Sequence, residues 1–258
     1  MPPIWKIKNK PFWFVSTLHF LKKDDYPISD TLQEAIDIVE LLVLEDKDFL
    51  MKGQNIGIYG YGKTIQSELS PEAIDLLLMR CNDVGLDFNV VQTYRPWKAS
   101  IVVAVTLWNS LGFSIDYGLD KYLLEAFISS SDQVESLEDS IEVLLIFDRL
   151  SLEDQERLLI KSLESIERLT GQIEGIHEAW RLGSENLMIK FLHEPLKIIP
   201  DIYQKLILDR NFTWLQKITT LINEKDNALI AVGAGHFVGE SNIIDLLISE
   251  GYTIDRLI

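Results

Sequence analysis

The wholly apolar run Ala228-Leu229-Ile230-Ala231-Val232 feeds straight into Gly233-Ala234-Gly235-His236-Phe237-Val238-Gly239, and a helical pattern follows from Ile243 to Ile248. Apolar residues without interruption, closed by glycine and followed by a helix, read as a strand covered on both faces, as parallel strands are when they lie between layers of helices. His236, one of four histidines, then stands at the carboxyl end of a parallel strand. In open α/β sheets that edge is where ligands bind, and glycines there let the backbone turn sharply with a ligand close by.

The N-terminal segment offers partners for that strand. Trp5 to Lys8 and Phe12 to Val15, joined by Asn9-Lys10-Pro11, predict a hairpin whose second strand runs into Ser16-Thr17-Leu18-His19. A helix is expected from a Ser29-Asp30 cap, with Leu32, Ala35 and Ile36 on its apolar face. Val39 to Glu45 follows as a third strand, so that Glu45, like His19, ends a strand. From about residue 66 to 225 the pattern is mainly helical, and only Val134 to Glu138 inside it reads as a strand. The sheet closes with Tyr252-Thr253-Ile254. The expected fold class is α/β: one domain over 1–258, with a mixed, largely parallel central sheet built from about 1–65 and 226–258 and a large helical insertion over about 66–225.

Charge narrows the function classes. With 24 basic and 40 acidic side chains the formal net charge is -16, which repels phosphate backbones and anionic lipid, so no nucleic-acid partner is expected. Lys6, Lys8 and Lys10 alternate as the exposed face of a strand would. The single cysteine, Cys81, lies in a helical pattern as a packed apolar residue and supports neither an intrachain disulfide nor a thiolate metal cluster. No run reaches the roughly 18 apolar residues of a membrane span, and Met1-Pro2-Pro3-Ile4-Trp5-Lys6 is no signal peptide. As written the chain reads as cytoplasmic, or as exported if a leader precedes it; oligomeric state is not legible.

Several motifs invite chemistry and fall short of it. Gly57-Ile58-Tyr59-Gly60-Tyr61-Gly62-Lys63-Thr64 matches GxxxxGK[ST], and Leu144 to Asp148 would be the strand carrying a magnesium-holding aspartate. A working phosphate loop needs an apolar strand before it and a helix immediately after it. Here Met51-Lys52-Gly53-Gln54-Asn55 is a poor strand and the next helix starts at Ser70-Pro71, so a nucleotide-binding protein is the weaker alternative. His177-Glu178-Ala179-Trp180 is followed by Arg181 where a zinc motif needs histidine, and His177 and His193 read as solvated or hydrogen-bonded helix residues. Trp97, Trp180 and Trp214 read as core anchors of the helical insertion.

What remains is His19, Glu45 and His236 at three strand ends, which parallel neighbours would bring to one edge. Two imidazoles and a carboxylate suit a divalent ion such as zinc, manganese, cobalt or iron.

The flanks of these residues resemble the TraB/PrgY/GumN family, whose eukaryotic relatives are the Tiki metalloproteases. That family carries two GxxH motifs, one near each end, and a glutamate after the first. The second motif is Gly233-Ala234-Gly235-His236, the first is Ser16-Thr17-Leu18-His19 with serine in place of glycine, and Glu45 matches the glutamate. Further matches are Pro96-Trp97, Tyr117 to Tyr122, Ser136-Leu137-Glu138, Ala179 to Gly183, and Arg210-Asn211 with Trp214, so the resemblance covers nearly the whole chain. It implies a metal-dependent hydrolase, above all a peptidase, holding manganese, cobalt or zinc through His19 and His236, with Glu45 as ligand or general base. Arg210 would stabilise an oxyanion or anchor a substrate carboxylate, unless it is a surface ion pair with Asp209 or a neighbouring helix. Ser16, Gly233, Gly235 and Asn211 would line the site for a peptide or small-molecule substrate. The Cβ and hydroxyl that Ser16 adds would weaken activity if close backbone approach is needed there. The alternative on the same fold is a non-catalytic regulatory protein that binds a peptide or haem.

Overall fold

The computed structural model describes residues 2–130 and 133–258. The chain divides into two compact units: Met1–Leu50, Phe113–Ser140 and Gly175–Ile258 form one, Met51–Gly112 and Ile141–Glu174 the other.

Among the described residues the first unit holds a sheet of six strands: β1 (Ile4–Ile7), β2 (Phe12–Thr17), β3 (Leu41–Leu44), β4 (Gln133–Ser136), β5 (Ala228–Gly233) and β6 (Ile254–Arg256). Their order is β4-β3-β5-β2-β1-β6. The four strands from β4 to β2 run parallel, whereas β1 is antiparallel to both β2 and β6. The sheet is therefore mixed and largely parallel, as expected.

Period-two alternation explains why its central strands are apolar throughout. Trp13, Val15, Leu42, Leu44, Leu229 and Ala231 face one layer, where Leu32, Ala35, Leu123, Phe127 and Trp180 pack on them. Their neighbours Phe12, Phe14, Leu41, Val43, Ala228, Ile230 and Val232 face the other, under Trp214, Ile218, Ile222 and Leu247. The covering helices are Asp30–Ile38, Leu119–Ser130 and residues 175–182 at the end of Ile166–Leu182 on the first side, Asp209–Glu224 and Ile243–Ser249 on the second. The Ser29 hydroxyl caps Asp30–Ile38 by accepting from the Leu32 amide. Trp180 and Trp214 are thus sheet-covering side chains rather than anchors of a separate helical mass.

The second unit is helical. Ala73, Leu77 and Cys81, spaced by four on Pro71–Val84, pack against Ala99, Val103 and Leu107 of Pro96–Ser110 and against Leu159 and Leu163. Burial pushes the Cys81 thiol up to about 11, which suits a packed, unreactive residue. The expected Ser70-Pro71 start holds, since the Ser70 hydroxyl accepts from Ala73. Leu144 to Asp148, the strand that a nucleotide site would require, is instead part of the helix Ser140–Asp148. Asp148 is bound by the Trp97 indole and by Arg95, and Lys63 pairs with Glu68. Among the described residues no helix is long and apolar enough to cross a membrane.

Candidate active site

Each of the four parallel strands delivers one ionisable residue within three positions of its carboxyl end: His19 after Thr17, Glu45 after Leu44, Glu138 after Ser136 and His236 after Gly233. Register aligns the ends, because Thr17 pairs with Gly233, and Leu44 with both Ala231 and Ser136. Pairing continues past the strands, with the Leu137 and Glu138 amides donating to the Leu44 and Glu45 carbonyls at 2.9 Å each.

Arg210 ties these ends together from the helix Asp209–Glu224. Its Nε and Nη2 donate to both oxygens of Glu138, and Nη2 also donates to Glu45 Oε2 at 2.5 Å. Its Nη1 donates to the Leu206 carbonyl at 2.8 Å and to His236 Nε2 at 3.1 Å. All five guanidinium hydrogens are thereby committed. Arg210 is therefore no surface ion pair, and Asp209 is bound by Gln204 instead.

The same helix face positions His236. Asn211 Oδ1 lies 2.6 Å from His236 Nδ1 and the Trp214 ring lies 4.4 Å from the imidazole. Since Asn211 Nδ2 donates to the Ser241 carbonyl, its Oδ1 accepts, which puts the proton on Nδ1 of His236 and a lone pair on Nε2. Burial and the Arg210 charge push His236 down to about 3, so it stays neutral.

His19 is held from the other layer. Its Nδ1 lies 2.9 Å from Asp120 Oδ2, and the Thr17 hydroxyl donates to Asp120 Oδ1 at 2.6 Å. The Asp120 charge pushes His19 up to about 9 even though the ring is half exposed. Burial works against ionisation of Asp120, yet the imidazole and its hydrogen bonds leave the carboxyl below its ordinary range. Burial works against ionisation of Glu45, yet it likewise ends up low, because the Arg210 and His19 charges overcome that burial and the Gly233 amide donates to its Oε1 at 2.7 Å. For Glu138 the balance tips the other way and burial raises it. Two carboxylates on one guanidinium thus shift in opposite directions.

The remaining sequence candidates fall nearby or elsewhere. Ser16 is fully buried on the same sheet face as Phe12 and Phe14, and its hydroxyl has no hydrogen-bond partner among the described residues. The Gly235 carbonyl accepts from His193 Nε2 at 2.8 Å. His177 pairs with Asp25 instead, its Nε2 2.8 Å from the carboxylate.

Glu45, Arg210, Asn211, Gly233 and His236 therefore share one bonded network, with His19 in electrostatic range of Glu45 and Arg210. Sequence reasoning missed Asp120, Glu138 and His193 as site residues. Glu138 was open to the rule that found Glu45, a carboxylate just beyond an apolar parallel strand; Asp120 and His193 sit in helical stretches with no such signal.

Residues 3–256 match the TraB/PrgY/gumN family. The chain belongs to that family. It is 22% identical to the uncharacterized protein YbaP of Escherichia coli strain K12 over 241 residues, covering 93% of this chain and 88% of that protein. YbaP of Shigella flexneri is 21% identical over the same shares. A metalloprotease TIKI homolog of Amphimedon queenslandica is 38% identical over 55 residues, which is 20% of this chain and 11% of that protein. No solved structure matches the chain significantly.

Proposed function

We propose that this chain is a metal-dependent hydrolase, above all a peptidase, working at the carboxyl edge of its parallel sheet. One observation carries the reading: strand ends bring Glu45, Glu138 and His236 onto a single guanidinium, with His19 in its electrostatic range. Family membership and the local likeness to a metalloprotease TIKI homolog support it.

The donor chemistry fits a divalent ion such as manganese, cobalt or zinc. Both histidines have Nδ1 engaged by an acceptor, Asp120 for His19 and Asn211 for His236, the outer-shell arrangement that leaves Nε2 as the metal-facing nitrogen; an ion would displace the proton that His19 carries there below about pH 9. His19, His236 and Glu45 would hold the ion. Among the described residues no three such side chains stand ready as a chelating cluster, and Arg210 occupies both Glu45 Oε2 and His236 Nε2. The bound ion would supply Lewis acidity and acidify water. The chain's own residues would do the rest: Glu45, held ionised beside Arg210 and anchored by the Gly233 amide, would ligate the ion or take the proton of the attacking water, and Glu138 would hold the guanidinium in place. Arg210 would meet the oxyanion or a substrate carboxylate with the hydrogen it now gives to His236. Gly233 and Gly235 would line this edge for a substrate, with the buried Ser16 and Asn211 behind it.

A second reading has one observation in its favour. Arg210 already neutralises the carboxylates, as a non-catalytic peptide- or haem-binding protein would need. Hydrolysis of a peptide library with added manganese, cobalt or zinc separates the two. The hydrolase shows turnover abolished by chelator and by Glu45→Gln, whereas absence of metal-dependent cleavage in the wild type refutes it.

A further inference from the structure

We propose that His193 is a positioning residue that braces the loop carrying His236 from two sides. The idea concerns the placement of His236 and does not require that the site hydrolyse anything.

His193 is 1% exposed and lies outside the network around Arg210. It ends a π-helical turn, Ile189–His193, and a second such turn, Gln204–Leu208, lies just before Arg210. Wide turns of this kind cost hydrogen-bond geometry and collect at functional sites. Both of these touch the His236 region: the first through His193 Nε2 on the Gly235 carbonyl, the second through the Leu206 carbonyl under Arg210.

The imidazole grips the loop at two points, one on either side of His236. Before it, the Gly235 carbonyl can only accept, so His193 carries its proton on Nε2. After it, Gly239 sits at φ +75° with the His193 ring so near that a Cβ there would come within 3.0 Å of Cε1 and 3.1 Å of Nδ1. The backbone conformation and the tight space both favour glycine at that position. Tyr203 completes the support, its ring edge-on to the imidazole at 5.1 Å between centroids and its hydroxyl 3.4 Å from Nδ1. Burial keeps His193 neutral and so fit for this single-donor role. A residue fixed in this way holds the backbone from which the His236 side chain reaches Asn211 and Arg210.

The test compares three forms of the full chain by amide hydrogen exchange and by the ring resonances of His236. His193→Phe keeps the ring and removes the donor, while His193→Gln places an N–H donor where Nε2 now stands. His193→Phe should speed exchange at residues 234–240 by about 5- to 30-fold, the range of one lost hydrogen bond with its partner left unpaired, and should shift the His236 resonances. The strand β5 amides should keep their protection, and His193→Gln should restore both signals. Unchanged loop exchange in His193→Phe, an acceleration spread evenly over β5, or no rescue by His193→Gln would overturn the proposal. Should His193→Phe fail to fold, the wild type still decides, because finding the His193 proton on Nδ1 refutes the brace. Loss of peptide cleavage plays no part in these readouts, so this proposal and the hydrolase reading fail separately.

Discussion

Replacing Asp120 by asparagine should uncouple the histidine at the end of β2 from its counter-charge while keeping the shape of the site. In the wild type, Asp120 pushes His19 from its ordinary 6.5 up to about 9. A gap of 2.5 pH units, at about 1.36 kcal/mol per unit, would correspond to about 3.4 kcal/mol if nothing screened it. The His19 side chain is 49% exposed, so solvent screening reduces this to about 1–2 kcal/mol. The sign follows from a raised pKa in the folded state: the contribution is complete below pH 6.5 and fades as pH rises through about 9. In metal-free protein, NMR titration should therefore place His19 well above 7 in the wild type and at or below 6.5 in Asp120→Asn. Urea unfolding should show the wild-type advantage over the variant at pH 6 and its loss by pH 10. A wild-type His19 that titrates near 6.5, or an Asp120→Asn variant in which it does not move, would refute the argument.

Two further perturbations probe the same edge. Arg210→Leu leaves Glu45 and Glu138 buried without a cation and should cost about 3–5 kcal/mol in urea unfolding, with Arg210→Lys between it and the wild type; a loss under about 1 kcal/mol contradicts the role given to the guanidinium. Gly118→Ala puts a methyl group into the His19 carbonyl oxygen, so it should destabilise the chain by about 1–3 kcal/mol and move the His19 resonances, whereas wild-type spectra would show that the backbone yields there at no cost.

The sheet was legible because its strands announce themselves. Phe12 to Val15 and Ala228 to Val232 are buried on both faces and are bounded by turn residues at strand length, whereas the equally apolar Leu144 to Phe147 lies in a helix. Boundaries shifted by a residue or two: β3 starts at Leu41 rather than Val39, and the last strand at Ile254 rather than Tyr252. Composition could not show which helices cover the sheet, since Trp180 and Trp214 look the same in a detached helical mass as against β5. At the site, residues that end strands could be found because a strand end is visible in the pattern. Asp120 acts from within a helix more than a hundred positions from His19, and the way Arg210 commits all five of its guanidinium hydrogens depends on Glu138 arriving from beyond β4, a contact set by tertiary packing alone.

The central claim is that His19 and His236 can share one ion beside Glu45. Anomalous diffraction from crystals grown with manganese, cobalt or zinc tests it most directly. The account predicts one strong peak per chain, about 2.0–2.2 Å from Nε2 of both histidines and within bonding reach of Glu45, with Arg210 withdrawn from His236. A site left to Arg210 alone at saturating metal, or a peak that touches only one of the two imidazoles, would contradict it.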